Sequence, residues 1–104
     1  MERVDKVIDF FLSKESMSPK KLQKMLYYAY AWTLALLNED EDHLENKLFD
    51  GKFEAWVHGP VLPSVYVRYK AYGWNDIPQK ADVKASDFSP EVKDVLEQVW
   101  DVYG

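Results

Sequence analysis

Residues 25–37 read Met-Leu-Tyr-Tyr-Ala-Tyr-Ala-Trp-Thr-Leu-Ala-Leu-Leu, an apolar run interrupted only by Thr33. Thirteen residues are too few for a bilayer span, which needs about 20. A helix apolar on nearly every face must instead lie at the centre of a domain, with partners on several sides. The rest of the chain therefore has to supply those partners, and no membrane association is expected.

The start of this helix is marked by Ser18-Pro19. A serine hydroxyl accepts a hydrogen bond from a free backbone N–H of the first turn, and proline at the first helical position loses no bond. Met17 before the cap and Leu22 at the fourth helical position fit a hydrophobic staple. The stripe then runs through Leu22, Met25, Leu26, Ala29, Thr33, Leu36 and Leu37. Upstream, Val4, Val7, Ile8 and Phe11 are spaced as one face of an amphipathic helix that ends near Lys14.

Downstream, Asn38 to Asp42 is an acidic break, because carboxylates disfavour a helix C-terminus. Leu48-Phe49-Asp50-Gly51-Lys52-Phe53 predicts a hairpin turning at Asp-Gly. Its second strand, Phe53 to Val57, is stopped by His58-Gly59-Pro60. Val61, Val65, Tyr69 and Tyr72 mark one side of a third helix, with Pro63 in its first turn and Gly73 at its end. Residues 74–88 read as irregular. Ser89-Pro90-Glu91 repeats the start signal, and Val92, Val95, Leu96, Val99 and Tyr103 form the last amphipathic face. The expected fold is mainly α (α+β), a compact bundle of about four helices with one small β-hairpin.

With 104 residues and no visible linker, residues 1–104 are expected to form one domain. A chain of this size buries above ~60% of its unfolded surface, and a composition 47% hydrophobic excludes disorder over most of its length. Thirteen basic against eighteen acidic residues leave a formal charge of −5, which disfavours nucleic acid as a partner because phosphate neutralisation dominates that affinity. A competing reading, a small regulator that binds nucleic acid, would use Lys14, Lys20, Lys21 and Lys24. The absence of cysteine removes disulfides, thiolate metal sites and cysteine nucleophiles, and fits a cytoplasmic location. No signal peptide is visible behind Met-Glu-Arg-Val.

No phosphate-cradling glycine loop, nucleophile elbow or His-Glu-x-x-His motif occurs. Asp40-Glu41-Asp42 is not a calcium loop, since the sixth and twelfth positions are Glu45 and Gly51 rather than glycine and glutamate. No cofactor, metal or catalytic residue is expected. Sixteen aromatic rings are hard to bury completely in so small a core, and Trp and Tyr are common interface anchors. Tyr28 and Trp32, four apart on a face separate from Leu22, Met25 and Ala29, are therefore either core or contact residues.

Two blocks carry a resemblance. Ser18-Pro-Lys-Lys-Leu-Gln-Lys-Met-Leu-Tyr-Tyr-Ala29, followed by Phe53-Glu-Ala-Trp-Val-His-Gly-Pro-Val61 and Val65-Tyr66 to Tyr69, resembles the Panacea domain of SocA-like and GepA-like, often phage-associated, antitoxins. It spans roughly Ser18 to Tyr103. The resemblance implies a helical, non-enzymatic protein that neutralises a toxin encoded beside it, by direct binding or as an adaptor to a protease complex. A small phage- or prophage-associated regulator is the alternative. Members usually continue with a further helix and a segment containing Thr-His and Pro-Trp, so the chain is expected to be a short or a C-terminally truncated member. Around the Gly59-Pro60 turn, Trp56, His58 and Tyr66 are the expected anchors, with Tyr28 and Trp32 in reserve.

Overall fold

The computed structural model describes residues 2–38, 47–81 and 88–104. Helix α1 spans Val4–Lys14, α2 Pro19–Leu36, α3 Pro63–Tyr69 and α4 Pro90–Tyr103, with a short 3-10 turn over Lys70–Tyr72. Strands β1 (Glu54–Trp56) and β2 (Gly59–Val61) form an antiparallel hairpin. The fold is the mainly helical arrangement with one small hairpin that the periodicity implied.

Both serine–proline signals are used as caps. Ser18 Oγ accepts from the Lys21 N–H at 3.2 Å, and Ser89 Oγ accepts from the Val92 N–H at 3.4 Å. Helix α2 is the centre of the packing and carries Leu22, Met25, Leu26 and Ala29 into the core, all buried. Thr33, the polar interruption, is buried too, and its hydroxyl donates to the Ala29 carbonyl at 2.8 Å, so no polar atom is left unsatisfied there. Helix α1 adds Val7, Ile8, Phe10, Phe11 and Leu12, more than its expected single face. Helix α4 adds Val95, Leu96 and Val99. The far end of α2 is less enclosed than an all-round apolar helix implies: Leu36 is exposed.

The hairpin is displaced from the expected place. Asp50-Gly51 does not turn a hairpin, because that turn type needs positive φ at both central residues, and among the described residues only Gly59 and Gly73 have it. Leu48 and Phe49 are instead both fully buried in the core, which a surface hairpin strand of alternating faces cannot provide. Gly51 is small for a packing reason: a Cβ there would lie 3.1 Å from Leu62 Cδ2. The true turn is Val57-His58, and Gly59-Pro60-Val61, expected to stop the strand, is the second strand.

Residues 74–81 are irregular yet anchored. Met17 and Ile77 exchange backbone hydrogen bonds, and the Lys80 N–H and Gln79 side chain donate to the Leu12 and Ser13 carbonyls at the end of α1. Ile77 is buried. Of the acidic break at 38–42, Asn38 is described and the rest lies outside the described residues. Among the described residues no helix is long and apolar enough to cross a membrane, and no group of potential ligands could hold a metal ion.

Candidate protein-binding groove

Helix α2, the hairpin and α3 with its 3-10 extension enclose a groove of about 890 Å³. Its construction begins at Gln23. This buried amide donates from Nε2 to the Leu62 carbonyl at 3.2 Å and accepts at Oε1 from the Leu62 N–H at 3.0 Å. The pair fastens the junction between β2 and α3 onto α2, and Pro63 starts α3 immediately afterwards. Gly59 supports the hairpin with φ of 118°, a conformation open to glycine and strained for other residues.

The floor is apolar, made by the buried residues Leu22, Val65 and Tyr69. The Tyr69 hydroxyl is buried and has no hydrogen-bond partner among the described residues. On the rim, Trp56 and Tyr66 meet edge to face with ring centroids 4.8 Å apart, 39% and 44% exposed. The Trp56 indole N–H donates to Glu54 Oε1 at 2.9 Å, which fixes the ring's direction. Val57 and Trp74, at 96% and 86% exposure, extend the apolar rim.

Of the five expected anchors, Trp56, His58, Tyr66 and Tyr28 all line this groove. Trp32 does not. It sits half-buried between α2 and α4, packed edge-on against Tyr103 at 5.9 Å. Tyr28 is shared between the groove and this seam, stacking on Tyr103 at 3.8 Å. Trp74 and Lys70 were not singled out in the sequence. The available signal was a tryptophan directly after the helix-ending Gly73 and before the polar pair Asn75-Asp76.

The four lysines of the nucleic-acid alternative are not held together as free charges. Lys14 pairs with Glu97 and Lys21 with Glu15, each at 3.2 Å, while Lys20 and Lys24 line the groove.

The model of the family described as antitoxin SocA-like, Panacea domain, matches residues 22–104. The chain belongs to this family. In this Panacea domain the match starts at Leu22, one residue before the glutamine that builds the groove, and covers every groove element except the first turn of α2. No curated protein and no solved structure shows significant similarity to the chain.

Proposed function

We propose that this SocA-like protein is an antitoxin that acts in the cytoplasm without catalysis, by seating a segment of a protein toxin encoded beside it in the groove between α2, the hairpin and α3. The observation that carries this reading is the exposed Trp56–Tyr66 pair over an apolar floor in a member of an antitoxin family. Interfaces draw most of their energy from a few Trp, Tyr and Arg anchors that become desolvated when the partner binds. The groove's apolar lining and open form suit the apolar side chains of a protein segment.

The nucleic-acid reading has less support. Two of its four lysines already hold carboxylates, which would have to be released before either could neutralise a phosphate.

The test is co-expression with the adjacent gene. Rescue from toxicity and a purifiable complex are expected, and Trp56→Ala or Tyr66→Ala should abolish both while the fold, followed by circular dichroism, persists. Rescue that disappears in a protease-deficient host would move the mechanism from occupancy to delivery. The groove is the wrong surface if rescue is unchanged in both alanine variants.

A further inference from the structure

The charge around the groove is the reverse of the charge of the chain. The protein carries eighteen acidic and thirteen basic residues, yet the groove lining contains Lys20, Lys24, Lys70 and His58 and no aspartate or glutamate. Glu54, the carboxylate tied to the rim, is already engaged by the Trp56 indole. Lys20 and Lys24 lie one turn apart on α2, and Lys70 stands on a different wall, at the end of α3.

Several basic residues elsewhere in the fold are already paired, whereas these three, like Lys6, Lys47, Lys52 and Lys93, are not paired among the described residues. Lys14, Lys21, Lys80 and Arg68 hold carboxylates of Glu97, Glu15, Asp9 and Asp5. Lys20, Lys24 and Lys70 have no ion pair among the described residues. All three are exposed at the groove, and a cleft lined by one sign of charge draws in the opposite sign. A basic segment would meet like charge there, and a neutral one would leave that charge without an opposite partner.

We infer that the occupant of the groove is an acidic amphipathic peptide segment, with one or more large apolar side chains on the floor and flanking carboxylates against Lys20, Lys24 and Lys70. This rests on the docking reading above and names the chemistry of the segment that the toxin would present. Bulky apolar anchors match Leu22, Val65 and Tyr69 below, and carboxylates match the lysines on both walls.

The test uses labelled synthetic peptides sharing one pattern of leucine and phenylalanine, with glutamate, glutamine or lysine at the intervening positions. A single-stranded oligothymidine serves as a fourth probe. Fluorescence anisotropy should rank glutamate above glutamine above lysine, with about tenfold between the first two at low salt and less at high salt. Binding of the glutamate peptide should shift the indole N–H signals of Trp56 and Trp74. The K20E/K24E/K70E variant should invert the ranking. Equal affinities, no binding of any peptide, or tighter binding of the oligonucleotide would overturn the inference. Co-expression separates its failure from failure of the docking reading. Rescue lost in Trp56→Ala but intact in K20E/K24E/K70E leaves the groove as the interface and removes the acidic segment. Rescue intact in every variant removes the groove as well.

Discussion

The Gln23 side chain and the Leu62 backbone exchange two hydrogen bonds, N–H to oxygen in each direction, across 39 residues of sequence. Gln23 thereby does for Leu62 what a neighbouring strand would do. The contact is buried, so neither backbone group has water to fall back on. Gln23→Met keeps the length and loses both bonds. Two unsatisfied backbone groups at about 1–3 kcal/mol each predict a loss of roughly 2–6 kcal/mol in denaturant unfolding. A change of a few tenths would mean that the hairpin and α3 are held by packing alone.

Gly59 offers a purely conformational test. No atom lies within 4 Å of a Cβ built there, so substitution meets no steric obstacle beyond the backbone itself at φ 118°. Gly59→Ala should cost about 1–3 kcal/mol through that strain. Thermal melting of the variant indistinguishable from the parent protein would show that the turn relaxes to another geometry.

Ala29 is fully buried on the core stripe of α2. Ala29→Asp places a carboxylate there without a partner and should destabilise by several kcal/mol, on the order of 3–5. Retention of a normal melting temperature would contradict the packing of α2.

The two tryptophans that share the label of candidate anchor should separate in a stability measurement. Trp32 is wedged against Tyr103 between α2 and α4, so Trp32→Ala should cost about 2 kcal/mol or more. Trp56 projects from the hairpin and is 39% exposed, so Trp56→Ala should change stability by less than about 1 kcal/mol while removing toxin rescue. Similar losses of stability in both variants would place Trp56 among the structural residues.

Tyr69→Phe removes a buried hydroxyl that has no partner among the described residues. Its deletion relieves the desolvation cost of that group, so stability should stay level or rise by up to about 1 kcal/mol. A marked loss in calorimetry would reveal a hydrogen bond made by that hydroxyl in solution.

Local chemistry made much of this architecture readable in advance. Ser18-Pro19 and Ser89-Pro90 start helices because a hydroxyl acceptor and a missing N–H act within one turn, whatever lies around them. The apolar run at 25–37 required a central helix, and Trp56, His58 and Tyr66 could be placed near one turn because they are close in sequence. The hairpin register was not readable. Asp50-Gly51 carries the stronger turn signal, yet burial of Leu48 and Phe49 and the approach of Leu62 to Gly51 override it. A local preference worth about 1 kcal/mol yields to two fully buried side chains worth about 1.5–3 kcal/mol each. Tertiary structure likewise decided that Trp32 belongs to the α2–α4 seam while Tyr28 reaches the groove. It also decided that Lys20 and Lys24 stay unpaired among the described residues beside Lys70, whereas Lys14 and Lys21 find carboxylates. Helix starts depend on neighbours along the chain, which a sequence displays. Charge pairing and groove walls depend on residues such as Gln23 and Leu62, or Lys14 and Glu97, that meet only after the chain has folded.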